Sequence, residues 1–317
     1  MSLEDLLPKS DDWLKYAIRH ELLGDTNDLE LLKVQTLNSK IVESYLKDIV
    51  DFHDEKVSNH KNPGLPINKL LFLLDIGLDR TVPEIDKAIV QILEHKDENG
   101  IYQSLTNVPK HFGGSGEDVF AWSLCDAPSL LTALIMAGVD YEKHIKAGVE
   151  YLMTLQRENG FPCSVSSELG KFRGPGKKDD CCPYATLVML KLLSIVPEHK
   201  NGIAVRISSE SLLSLWEDSM LKHPYLFYMG NDFRKLKAPS IWYDIVSVTD
   251  VLSRFDYARD DPRFKEMVSI IAGKMDQEGM FTPESIYQKC KDWDFGQKKK
   301  PSPYLTFLCL RILKRLV

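Results

Sequence analysis

Apolar residues return at helical spacing along most of the chain. Ile85, Ile89, Ile92 and Leu93 fall on one face over residues 85–94, and Ile145, Val149, Leu152 and Leu155 do so over 144–156. That period of 3.6 residues predicts amphipathic helices, with a third over 264–275. Other stretches are apolar nearly all round, such as Leu70, Leu71, Phe72, Leu73 and Leu74, or Leu187, Val188, Met189, Leu190, Leu192 and Leu193. A helix apolar on every side is buried. Such helices are predicted over 66–76, 128–137, 183–195, 239–252 and 303–313, each opened by a proline. Proline suits a first helical turn, where its missing N–H leaves no bond unmade. A hairpin over 13–23 and 41–50 precedes them, and the helix at 183–195 pairs with an outer one carrying Leu212, Leu213, Leu215 and Trp216.

Amphipathic helices alternating with buried ones imply two concentric layers. The expectation is an all-α fold with about six inner and five outer helices in a single domain over 1–317. Residues 1–60 form an N-terminal hairpin and 61–317 the helical-hairpin repeats. The last inner helix lacks an outer partner, so the two ends can meet and close a ring. The competing architecture is an open solenoid. A repeat of roughly 60 residues marks the register. Asp97-Glu98-Asn99-Gly100-Ile101-Tyr102 returns as Arg157-Glu158-Asn159-Gly160-Phe161-Pro162 and as Asp276-Gln277-Glu278-Gly279-Met280-Phe281. Each glycine is expected to cap the preceding amphipathic helix, since glycine takes positive φ without strain.

A buried helix, an amphipathic helix and then Gln156-Arg157-Glu158-Asn159-Gly160-Phe161 resembles the repeat of the squalene/terpenoid cyclase and protein prenyltransferase superfamily. The resemblance implies an α/α toroid and a central cavity for an apolar, isoprenoid-like anionic ligand. This chain departs from both chemistries of that superfamily. The Asp-x-Asp-Asp acid of the cyclases is missing, its nearest counterpart being Asp292-Trp293-Asp294-Phe295. The prenyltransferase zinc set is met only by the Asp-x-Cys spacing of Asp180 and Cys182, with no histidine in 303–313. Zinc on Asp180 and Cys182 is the one cofactor the resemblance suggests.

In such a ring the inner helices run parallel, and their N-termini gather at one end, where the macrodipoles favour anions. The residues expected there are His60, Trp122, Cys125, Lys237, Trp242, Tyr243, Lys298 and Tyr304, with Asp126, Asp180 and Asp244 as candidate acids or bases. Asp126 and Asp180 also suit helix caps. Asp244 reads as lying within a buried helix, where a carboxylate needs a partner such as Lys237. Residues 172–178, 233–237 and 297–300 form basic loops, expected to converge on one rim and steer an anion. His111 and Gly113-Gly114-Ser115-Gly116 read as a lid or linker, since no strand precedes them and no lysine follows as a phosphate loop requires.

Charge and composition narrow the classes. The net charge of −6, with 40 basic and 46 acidic residues interspersed, gives no footprint for nucleic acid. No apolar run is long enough to span a bilayer. The six cysteines include one adjacent pair and form no disulfide framework, so a reducing cytoplasm is expected. No feature points to a protein partner. Three functions compete: an isoprenoid-handling enzyme or binder, a carbohydrate-active α/α barrel with paired aspartates, and a non-catalytic scaffold. Asn, Gln and Arg lining the cavity would favour the second, and a cavity filled by Leu and Phe the third.

Overall fold

A computed structural model describes residues 3–24, 28–172, 179–217, 224 and 227–316. The chain is mostly helical. The helices are α1 (Leu3–Leu6), α2 (Asp12–Ala17), α3 (Leu29–Leu37), α4 (Lys40–Ile49), α5 (Pro66–Asp75), α6 (Pro83–Glu94), α7 (Ala127–Met136), α8 (Lys146–Thr154), α9 (Pro183–Leu193), α10 (Ile203–Glu217), α11 (Ile245–Leu252), α12 (Asp256–Arg259), α13 (Pro262–Ala272) and α14 (Pro303–Lys314). Helix α2 runs on through a π-type segment, Ile18–Leu23, and another, Tyr141–Ile145, leads into α8. No described helix is long and apolar enough to cross a membrane.

The apolar helices touch in series, α5 to α7, α7 to α9, α9 to α11 and α11 to α14. Helix α14 then returns to the start of the chain. It packs on α1, Tyr304 stacks edge-on against Trp13 of α2 and Phe72 of α5, and Arg311 reaches Asp75 at 3.0 Å. The amphipathic helices lie alongside, α10 against α9 and α13, α13 against α11 and α14. At one end Asp75 of α5, Met136 of α7, Ser194 after α9, Ser253 after α11 and Arg315 after α14 line one cavity of about 410 Å³. The C-terminal ends of the apolar helices therefore share one side.

The fold is all-α apart from one short hairpin: β1 (Ser104–Asn107) and β2 (Asp118–Ala121) pair antiparallel, and the His111 segment, expected to have no strand before it, connects them and holds one 3-10 turn. Two further expectations need correction. The helix expected from Pro239 begins only at Ile245; Ala238–Pro239 is a cis peptide and residues 239–244 are irregular. The glycines of the repeat do not cap helices. Helix α6 ends at Glu94 and α8 at Thr154, and each glycine sits several residues later, at φ +83° for Gly100, +108° for Gly160 and +76° for Gly279. Asp97 and Asp276 close these turns by accepting two backbone N–H groups each, from Asn99 and Ile101 and from Glu278 and Met280.

The repeat has a mechanical purpose. The N–H of Phe161 donates to Thr186 Oγ1 and that of Phe281 to Thr306 Oγ1, both at 3.0 Å. In return Cys182 N–H donates to the Phe161 carbonyl and Ser302 N–H to the Phe281 carbonyl. These two turns thus dock on the N-termini of α9 and α14. A Cβ at Gly160 would lie 2.7 Å from Ser211 Oγ as well as sitting at positive φ. Gly160→Ala is expected to lower the unfolding free energy by more than about 1 kcal/mol. Gly138→Ala, also at positive φ but with nothing within 4 Å, should cost less. Denaturant midpoints of the two variants test the difference.

Candidate functional site

Three helix starts bring chemistry together. Asp126 stands before α7, and its Oδ1 accepts from Ser123 N–H at 2.8 Å and Ser123 Oγ–H at 3.1 Å, closing the turn ahead of the helix as in a capping box. His60 Nε2 lies 3.4 Å from Ser123 Oγ and 3.7 Å from Asp126 Oδ2. A cleft of about 1370 Å³ opens on this trio, walled by Val57, Phe112 and Phe172. Its rim carries Asp48, Asp51, Asp54 and Glu55 beside Lys56 and Lys69, so the rim is mixed and not the basic one expected. Lys235 is paired with Asp232, Lys298 is exposed with its neighbours Lys299 and Lys300, and residues 173–178 of the first basic loop lie outside the described residues.

Behind His60 stands an aromatic wall. Its ring is 6.3 Å from Tyr184, Tyr184 is 4.2 Å from Trp242, and Trp242 is 5.7 Å from Phe227. Lys61 Nζ lies 4.8 Å over the Trp242 ring and Lys237 Nζ 3.4 Å over Tyr287. Burial lowers the pKa of Lys237 and the nearby Lys61 charge adds to that, while Asp244 opposes it.

Asp244 is not inside a helix but caps α11, its Oδ1 accepting from Ser247 N–H at 2.9 Å. The carboxyl is buried, and its Oδ2 accepts no hydrogen bond among the described residues. Burial pushes its pKa up to about 6, against the pull of the Ser247 donors and the Lys237 charge. The Tyr287 hydroxyl, also buried, has no hydrogen-bond partner among the described residues. A buried carboxyl with an unpartnered oxygen and a raised pKa, close enough to Lys237 and Tyr287 to feel and exert charge effects, is equipped to give or take a proton.

The other predicted residues divide. Tyr243 is buried against Phe227 and Phe233, adjoining this wall. Tyr304 is buried and packs against Trp13, Phe72 and Phe295. Asp294, from the Asp-Trp-Asp-Phe stretch, accepts from Ser302 Oγ–H ahead of α14 and so orders a helix start. Trp122 and Asp180 belong to a separate groove of about 1310 Å³, with Tyr151 and Cys181. There the Trp122 Nε1–H donates to Asp97 at 2.9 Å.

The cysteines do not make the zinc site. Cys182 caps α9 through Ala185 N–H and makes hydrogen-bond contacts with the Cys125 and Cys163 thiols. The Cys125 contact, with burial, holds the Cys182 thiol well above its ordinary pKa. Among the described residues no three His, Cys, Asp or Glu side chains come together as a metal requires, so Asp180 and Cys182 find no third ligand.

Sequence reasoning missed Tyr184, Phe227 and Tyr287. Tyr184 was open to discovery, since it follows Pro183 at a helix start. Tyr287 lies in irregular chain with no periodicity to betray it. Compared with known proteins, the chain matches no family model and no curated protein sequence.

Proposed function

We propose that the chain forms a closed α/α toroid whose aromatic cleft binds an amphipathic anion with an isoprenoid-like apolar part, with Asp244 as the acid–base group. Support for the ring comes from the serial helix contacts, the return of α14 to α2 and α5, and the helix C-termini shared by one cavity. The observation that carries the chemistry is the free Oδ2 of a buried carboxyl whose pKa is about 6. Lys61 and Lys237 lie over ring faces at the same place and supply the charge for an anionic head. The rings of Tyr184 and Trp242 suit the apolar part and stabilise positive charge developing on it. Protonated Asp244 gives its proton to an alkene carbon, and the carboxylate then removes a proton from an adjacent carbon.

Tryptophan fluorescence titrated with farnesyl diphosphate, farnesol and inorganic diphosphate tests this. Farnesyl diphosphate is expected to quench saturably, Trp242→Phe to lose most of the signal, and Lys237→Met to weaken affinity about tenfold or more. Equal binding of farnesol removes the anionic head from the reading, and binding of none of the three removes the reading itself.

A specific observation favours a second reading. The Trp122 groove carries Asn99, Gln103 and Arg157 beside Asp180 and Glu168, the polar lining a glycan needs. Oligosaccharide binding that is lost in Asp180→Asn and untouched in Asp244→Asn would support it.

A further inference from the structure

Backbone hydrogen bonds draw three cysteine-bearing segments together. Leu124 N–H donates to the Ser164 carbonyl at 2.9 Å, and Ser123 pairs antiparallel with Val165. Cys125 and Cys163 are the residues next to that bond, one on each side of it. From the third segment, Cys182 N–H donates at 2.7 Å to the carbonyl of Phe161, just ahead of Cys163. The side chains follow: the Cys182 thiol makes hydrogen-bond contacts with the thiols of both Cys125 and Cys163. Among the described residues no disulfide links any of the cysteines.

The three thiols differ in access. Cys182 is 4% exposed, whereas Cys125 and Cys163 are half-buried. Cys163 also lines the Trp122 groove of about 1310 Å³, so a small oxidant reaches it from solvent. Cys182 is a poor first target, since the Cys125 contact and burial hold it as the thiol. Once Cys163 is oxidised, contact with Cys182 supplies the proximity that makes the second step fast.

We propose that Cys163 and Cys182 form a reversible disulfide when the protein meets a peroxide. With hydrogen peroxide, the Cys163 sulfur attacks one oxygen, the O–O bond breaks, and the other oxygen leaves as water with the thiol proton. Cys163 is then a sulfenic acid. The Cys182 sulfur attacks the Cys163 sulfur, the S–O bond breaks, and a second water carries off the Cys182 proton. The two thiols lose two electrons and the peroxide is reduced to two waters. The new bond closes residues 163–182 into a loop and ties one wall of the groove to the start of α9. Its formation needs neither of the ligands proposed above.

The full chain, treated with hydrogen peroxide under native conditions, then alkylated, digested and mapped by mass spectrometry, tests this. One intramolecular disulfide joining Cys163 to Cys182 is expected, with a Tm several degrees higher that returns to the parent value in dithiothreitol. Cys182→Ser keeps a residue favoured at a helix start and should leave Cys163 as a sulfenic acid captured by dimedone. Cys163→Ser should leave Cys182 reduced, and Cys125→Ser should retain the crosslink. Alkylation of all six thiols after treatment overturns the proposal. So does a bond from Cys182 to Cys125, or a crosslink that lowers Tm.

Discussion

Arg311→Met is expected to cost about 3–5 kcal/mol of unfolding free energy, the usual penalty for removing one partner from a buried ion pair. Arg311 is 3% exposed and lies 3.1 Å from Glu21, 3.0 Å from Asp75 and 3.4 Å from Asp250. Those carboxylates come from the segment after α2, from α5 and from α11, so one guanidinium joins three parts of the chain to α14. Removing it strands Asp75, whereas Asp250 keeps Arg254 and Arg315 at 2.7 and 2.8 Å. The double variant Asp75→Leu/Arg311→Met should therefore be more stable than Arg311→Met alone. Guanidinium denaturation with an unchanged slope checks both, and simple additivity of the two substitutions would contradict the pairing. Asp75 and Asp250 have lowered pKa values, through Arg311 above all for Asp75 and Arg254 for Asp250, against the opposing effect of burial. Their contribution is present above the ordinary carboxylate pKa of 3.8 and is lost as pH falls below it.

Asp244 has the opposite sign. Its pKa is raised from 3.8 to about 6 by burial. The stability it contributes is complete below pH 3.8 and is lost as pH rises through 6, a change on the order of 3 kcal/mol. Asp244→Asn keeps an oxygen for the Ser247 N–H and a residue favoured at a helix start, but cannot ionise. At pH 7–8 the variant is expected to be more stable than the parent by an amount of that order, and the two should converge near pH 4. It should also abolish proton transfer to a bound isoprenoid. A variant that is less stable at every pH would make Asp244 a structural cap alone.

The helices were legible because their signals are local. Apolar period and opening prolines located α5, α7, α9 and α14 to within a residue or two at their starts, and Pro66, Pro183 and Pro303 each stand first in their helix. Pro239 misled because a proline can open a helix or hold a cis turn, and sequence does not distinguish them. The glycines misled in a different way: positive φ was right, but Asp97 and Asp276 place it in a separate turn. Lys237 and Trp242 were placed at the start of the buried helix by type and position, Asp244 was expected inside the helix that it caps, and Tyr287 joins them through tertiary contact alone. The charged network escaped notice for a related reason. Asp75, Lys191, Asp250 and Arg311 are scattered charges toward the C-terminal ends of largely apolar helices, and each looks like a solvated end until the helices are set side by side.

The pairing of Asp75 with Arg311 spans 236 residues. On a ribosome adding about 5–20 residues per second, the carboxylate is made on the order of ten to fifty seconds before its counter-charge. Through that interval α5 and α11 lack the α14 surface they pack against, and those apolar sides stay open to other nascent chains. Synthesis of α14 is the event that brings Asp75 its counter-charge, so a chain interrupted before it is a natural client for chaperones and proteases.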